Sequence, residues 1–354
     1  MSRTAVVFSP RYYWHNPGRG HPESAGRLRA IMNELKGKRL VGSTNWMFIE
    51  PERARFKDIA LVHDKGYIKN VKAVCQSGGG ALDSGDTVVS SESFDVALYA
   101  AGGALKAVRI VLNKEVENAF ALVRPPGHHA EKFRAFGFCI FNNVAIAAQS
   151  LLRKSGLQRI LIFDIDAHHG NGTQEIFYET DKVLYISLHE NPRDFPGTGF
   201  VDEIGEGSGV GCNVNIPLPF GSSDQIYLRA VTEIAIPIAH QYRPQFMLVS
   251  AGFDTHYADP VGSLSLSAKC CDKVCESLVD LASKTCDGRL VAVLEGGYNL
   301  RFVGKMAASA VARMSRTPYL VEDKAPEVSK KTTARGERVL EDVKKVQRDY
   351  WNIG

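Results

Sequence analysis

With 354 residues, 44% of them apolar and 23% charged, the chain has room for one large α/β domain or two smaller ones around a substantial core. Its formal charge of +4 is too small, and its Lys and Arg too scattered, for the electrostatic footprint of a nucleic-acid binder. No run of about 18 apolar residues occurs, the N-terminal apolar stretch is too short for a signal peptide, and seven cysteines is an odd count, so the expectation is a cytoplasmic protein with reduced thiols and no membrane partner.

In chain order, apolar runs at TAVVF (4–8), AFALV (119–123), RILIF (159–163), VLYISL (183–188), FMLVSA (246–251) and LVAVL (290–294) read as strands. They are continuous rather than alternating, as strands buried on both faces are. Helical patterns lie between them, over 94–112, 143–154, 224–242 and SAKCCDKVCESLVDLAS (267–283), with Pro237 expected to kink the third. This alternation predicts an α/β fold, a mostly parallel sheet with helices on both faces. Cys270, Cys271 and Cys275 lack paired CxxC halves and read as packing thiols rather than a zinc site. The Gly- and Pro-rich stretches 11–27, 76–93 and 189–211 are long for plain connections and are expected to carry function. From about residue 322 the chain is highly charged, and Val339, Val343, Val346 and Tyr350 fall on one face of a helix expected to dock on the surface. No repeat or linker marks a boundary, so residues 1–354 are expected to form one domain, with 322–354 packed on it.

Four of the strands break off into groups that bind metals or move protons. AFALV leads into Arg124-Pro-Pro-Gly-His128-His129, RILIF into Asp164-Ile-Asp166-Ala-His168-His169, FMLVSA into Gly252-Phe253-Asp254 and LVAVL into Glu295-Gly-Gly-Tyr298. The carboxyl ends of strands in an open parallel sheet share one edge, where ligands bind. Asp166 and His168, two apart in an extended segment, point the same way. With Asp254 they would give a metal three protein ligands and leave a position for water, as in catalytic zinc sites. Alone, such a DxDxH run can also be a loop-capping cluster. His128 and His129 can supply a base for water and an acid for a leaving amine, with Asp164 and Asn171 close enough to orient them. Tyr298 can donate to a substrate oxyanion, or be a Tyr packed under a loop.

The segments RPPGHHA, GFCIFNNVAIAA, DIDAHHGNGTQ, SLHE...FPGTG, SAGFDTHYADP and LEGGYN resemble, in order from His21-Pro-Glu23 to about residue 315, the signatures of the zinc-dependent histone deacetylase family, which includes acetylpolyamine amidohydrolases and acetoin-utilisation proteins. The resemblance implies the three-layer arginase/deacetylase-like fold and a deacetylase of acyl-lysine proteins or peptides. It implies zinc on Asp166, His168 and Asp254, a site whose ligands also suit iron, with His128 and His129 as the acid/base pair and Tyr298 as carbonyl activator. Phe138 and Phe195 would wall an acyl-lysine tunnel, Gly137 would offer its carbonyl inside it, and Asp86 would hold the substrate backbone. Structural potassium would sit on Asp164, Asp166, His168, Ser187 and Leu188, and a second ion near Phe177, Thr180 and Val183.

Two departures stand out. Asn171 replaces the Asp of many members, as in the class II branch, which should leave His129 the more easily deprotonated of the pair. Val261 stands where polyamine specialists place a Glu, which weighs against an acylated polyamine or other small acylated amine as substrate. A weakly active acetyl-lysine-binding scaffold is disfavoured by the presence of Tyr298. Arginase-like binuclear manganese chemistry would need carboxylates where this chain has His169, Gly170 and His256.

Overall fold

The computed structural model describes residues 3–37, 40 and 43–354. It contains ten strands: β1 (Thr4–Val7), β2 (Trp46–Ile49), β3 (Gly79–Ala81), β4 (Val88–Ser90), β5 (Asn118–Ala121), β6 (Ile160–Asp164), β7 (Val183–Glu190), β8 (Asn213–Leu218), β9 (Phe246–Ala251) and β10 (Leu290–Leu294). Eight of them form one sheet in the order β2-β1-β5-β10-β9-β6-β7-β8, and every neighbouring pair is parallel. β3 and β4 form a separate antiparallel hairpin. Parallel neighbours require crossover connections, and helices supply them. The four central strands β5, β10, β9 and β6 are buried along their whole length, which is why their sequences read as unbroken apolar runs.

Helices Ser93–Leu112 and Asn143–Ser155 pack together, the first on β1, β5 and β10 and the second on β6 and β9. Helix Val303–Ser315 packs between helices Ala25–Leu35 and Ala268–Thr285 and also touches β1 and β5. The two groups pack on the same strands, β1 and β5, with no extensive contact between them, so they cover opposite faces and make three layers. Cys270, Cys271 and Cys275 lie on the buried face of helix Ala268–Thr285 beside Val274, Leu278 and Leu281, and all seven cysteines are free. Among the described residues, no helix is long and apolar enough to cross a membrane.

Two expectations need correction. The segment 224–242 is not a simply kinked helix: α-helix Asp224–Arg229 runs into a π-helical turn, Ala230–Ala235, before α-helix Ile236–Tyr242. The Ile236 N–H bonds to the carbonyl of Val231, five residues back, so the register is respaced just ahead of the proline. The C-terminal helix, Lys330–Gln347, does dock, on β8 and the Asp224–Ala235 segment, but through Gly336, Leu340, Val343, Lys344 and Gln347. Val339 and Val346 flank that face, and Tyr350, beyond the helix end, is 41% exposed.

Candidate active site

Because β5, β10, β9 and β6 are consecutive in the sheet, the segments that leave their carboxyl ends converge. Asp164 closes β6, and the chain then turns through Asp166 and His168, both buried. Asp254 follows β9 and is fully buried. His168 Nδ1 lies 3.3 Å from Asp166 Oδ1 and 3.3 Å from Asp254 Oδ2, and one ligand atom from each residue lies within 4.8 Å of the others. A Cβ at position 296 would stand 2.2 Å from Asp254 Oδ2, so Gly296 lets the β10 turn close over the carboxylates.

The remaining oxygens are held from outside. Asp254 Oδ1 accepts the Ala167 N–H at 2.9 Å, and Asp166 Oδ2 accepts the Gly296 N–H at 2.8 Å. Asp254 Oδ2, facing the centre of the trio, is buried and accepts no hydrogen bond. Two buried carboxylates side by side repel each other, and burial together with Asp166 pushes the Asp254 carboxyl up to about 7. An orphaned anionic oxygen beside an Asp/His donor set is what a divalent cation would satisfy, so these residues fit a metal.

His128 Nδ1 lies 3.0 Å from Asp164 Oδ2, which also accepts the Tyr185 hydroxyl at 3.0 Å. Asn171 Nδ2 donates to Glu131 Oε1 at 2.7 Å, which turns its amide oxygen toward His129 Nδ1 at 2.8 Å. That oxygen can only accept, so the His129 proton sits on Nδ1 and Nε2 is left with a lone pair. The two rings titrate in opposite directions. Burial would lower both, but Asp166 and Asp164 overcome it at His128 and push that imidazole up to about 10. His129 is driven well below its ordinary value by burial, then by His128 and His168. The direction matches the sequence expectation: the uncharged Asn171 raises His129 only through its hydrogen bond, whereas the charges of Asp166 and Asp164 raise His128.

His168 brings the trio to a cavity of about 340 Å³ that is also lined by His129, Gly137, Phe138, Phe195 and Tyr298, with Asp86 and Val261 on its wall. Phe195 sits edge-on to His129 and His168, with centroids 4.9 and 5.6 Å away, and Phe138 sits edge-on to Tyr298 at 5.8 Å. Phe138 holds φ at 67°, an uncommon state for an aromatic residue. A Cβ on Gly137 would come within 2.5 Å of the His129 ring, so that position is closed to larger residues. Asp86, in the turn of the β3–β4 hairpin, is pushed up to about 6 by burial and by Asp83 beside it.

Of the other expected residues, Ser187 pairs with Asp164 across β7 and β6, at the active edge. Leu188 is the next residue along β7. Phe177, Thr180 and Val183 lie elsewhere: Val183 pairs with Ile160 at the start of both strands, a strand length from the trio. His169 contacts Thr198 Oγ1 and Gln174 Oε1, and His256 contacts Asp323, so neither joins the trio.

Several structuring residues escaped the sequence reading. Arg27 is fully buried; its Nε donates to the Gly297 carbonyl at 2.7 Å and its guanidinium lies 4.8 Å over the Tyr298 ring. Its signal was present, because Arg27 falls on the same face of its helix as Leu28, Ile31 and Leu35. Glu23 accepts from Arg124 Nε at 2.6 Å and from Arg27 at 3.2 Å. Glu295 accepts the N–H groups of Gly127 and His128 at 2.7 and 3.2 Å, fixing the backbone of the His pair. Asp259 accepts those of Tyr298 and Asn299 at 2.7 and 2.9 Å.

A family model described as histone deacetylase domain matches residues 21–314. A probable deacetylase of Archaeoglobus fulgidus is 43% identical over 98% of each chain. The chloroplastic histone deacetylase 14 of Arabidopsis thaliana is 38% identical over 82% of this chain and 72% of its own. A histone deacetylase-like amidohydrolase of Pseudomonas aeruginosa is 34% identical over 91% of this chain and 88% of its own. Among solved structures, the crystal structure of the HDA15 HD domain superposes with a TM-score of 0.88 and 34% identity, covering 99% of this chain and 95% of that one.

Proposed function

Because this chain belongs to the histone deacetylase family, we propose that it removes acetyl or related acyl groups from lysine side chains, using a zinc ion held by Asp166, His168 and Asp254. The observation that carries this reading is the convergence of those three ligand atoms, with Asp254 Oδ2 buried and without a hydrogen bond, beside a cavity that His168, Phe138, Phe195 and Tyr298 line. When bound, such an ion polarises an amide carbonyl and acidifies water. The chain's own groups account for the rest. Phe138 and Phe195 grip the aliphatic stem without demanding hydrogen bonds. Asp86, at the mouth, accepts from the substrate backbone, and the Gly137 carbonyl faces the stem.

His129, neutral and with Nε2 free, takes the proton of the attacking water and returns it to the departing amine. His128 remains an imidazolium on Asp164 and favours the negative charge that develops beside it. Burial pushes the Tyr298 phenol well above its ordinary value, so it stays protonated and donates to the carbonyl oxygen. Potassium at Asp164, Asp166, His168, Ser187 and Leu188 would brace the turns that carry these groups, and a second ion near Phe177, Thr180 and Val183 would brace the chain at the opposite end of β7. The whole chain acts as one catalytic domain.

A second reading, an acylated small amine as substrate, is favoured by one observation. Asp86, Glu190 and Asp194 all line the cavity and, among the described residues, no Lys or Arg does, so a cationic stem is welcome even though position 261 is Val. The test compares turnover of acyl-lysine peptides with that of acetylated spermidine and putrescine on zinc-loaded protein. Acyl release from neither class, or equal release by Tyr298→Phe, would overturn the proposal.

A further inference from the structure

The sequence points to Asp164 and Asn171 as the groups that orient the site's imidazoles, but the geometry commits Asp164 to His128 and Asn171 to His129. His168 is left without either. Its Nδ1 faces Asp166 and Asp254, while its Nε2 points the other way, to Glu190 Oε1 at 3.7 Å. Among the described residues, Glu190 is the one acidic side chain within ion-pair distance of that nitrogen. Glu190 closes β7 and its side chain is 9% exposed. It is also firmly placed. Its own N–H donates to the carbonyl of Ala167, the residue before His168, at 2.8 Å, and its Oε2 accepts the Ser263 N–H at 2.5 Å.

We propose that Glu190 is a positioning residue for the metal ligand His168: its carboxylate holds the imidazole proton on Nε2 and so keeps the Nδ1 lone pair directed at the ion. The inference rests on the metal reading given above. At 3.7 Å the contact is too long for a hydrogen bond, but between two nearly buried groups the carboxylate charge still attracts the positive end of a ring N–H. A ring that turned, or moved its proton to Nδ1, would lose that attraction and present a hydrogen to Asp166 and Asp254 in place of a donor pair. Carboxylates behind metal-bound imidazoles generally fix the tautomer and raise ligand basicity.

The test is the zinc affinity of the full chain, read by competition with a chelator, for the parent, Glu190→Gln and Glu190→Ala. Glu190→Gln keeps an oxygen to accept from Ser263 but removes the charge facing His168. It is expected to weaken zinc binding about 10- to 100-fold, and Glu190→Ala at least as much. If Glu190→Gln binds zinc within twofold of the parent, Glu190 only ties down the Ser263 loop and the proposal is overturned, whatever Glu190→Ala does. Should Glu190→Ala fail to fold, the Gln variant decides alone. Affinity is measured without turnover. A parent that binds zinc but leaves acyl-lysine intact would therefore sink the proposed reaction and not this inference, whereas a parent that binds no zinc would sink this inference.

Discussion

Tyr298 is placed by residues that are far away in sequence. Arg27 lies against its ring, Asp259 accepts its N–H, and Phe138 meets it edge-on. Removing the hydroxyl while keeping the ring should therefore leave the cavity intact and remove one donor to the oxyanion. Tyr298→Phe is expected to lower kcat about 100- to 1,000-fold with KM little changed, as measured by steady-state acyl release. Asp86 gives a prediction in pH. Its carboxyl, pushed up to about 6 by burial and Asp83, is ionised above that value and protonated below it. If it accepts from the substrate backbone, KM for an acyl-lysine peptide should rise as pH falls through about 6, and Asp86→Asn should abolish that rise. A KM–pH curve identical in both proteins would remove Asp86 from substrate binding.

Glu23 tests the buried scaffold behind the site. Burial alone would raise its carboxyl, but Arg124, His15 and Arg27 hold it far below the ordinary range. A carboxyl depressed in the folded state stabilises the fold above its unfolded value near 4.5, and that contribution is lost as pH falls below it. Glu23→Gln leaves two buried guanidinium groups short of an anion. It is expected to cost about 3–5 kcal/mol at neutral pH, measured by denaturant unfolding, and to flatten the stability profile below pH 4.5.

At the scale of elements, what could be read was what burial makes monotonous. β6, β9 and β10 stood out because both faces of each are covered, and helix Ala268–Thr285 because its apolar residues recur on one side. β8 was hidden by its own sequence, NVNIPL: Asn213 and Asn215 read as loop residues, yet both are buried and donate to Gln174 Oε1 at 2.8 Å. Its Pro217 is tolerated because β8 is an edge strand. β2, at the opposite edge, is half-exposed and its apolar run, WMFI, is only four residues long, too short to separate from a loop. The edge at β8 is covered by helix Lys330–Gln347, whose Leu340 is fully buried. The docked face includes Val343, with Val339 half-buried beside it, but it is turned toward Gly336, Leu340, Lys344 and Gln347 and leaves Tyr350 exposed. Leu340→Ala is expected to destabilise the protein by about 2–5 kcal/mol in thermal or denaturant unfolding. A change below about 0.5 kcal/mol would show the helix to be loosely held.

For the whole molecule, the site was more legible than the fold around it. Residue types able to bind a metal or carry a proton stand out where they follow apolar runs, so Asp166, His168, Asp254 and the His pair could be singled out as candidates before any coordinates. The supporting groups could not, because Arg27, Glu23, Glu295 and Asp259 act through partners that the fold brings near: Arg27 and the Gly297 carbonyl are 270 residues apart, and Glu23 and Arg124 are 101 apart. The sheet order explains the assembly. Placing β10 between β5 and β9, with β6 next, sets four chemistry-bearing turns on one edge.

The most direct test of this account is acetate release from an acetyl-lysine peptide as zinc is titrated into metal-stripped protein. Turnover should rise in proportion to added zinc, level off at one equivalent, and stay at baseline in Asp254→Asn. Turnover that ignores zinc, or that needs two equivalents, would contradict a single ion held by Asp166, His168 and Asp254.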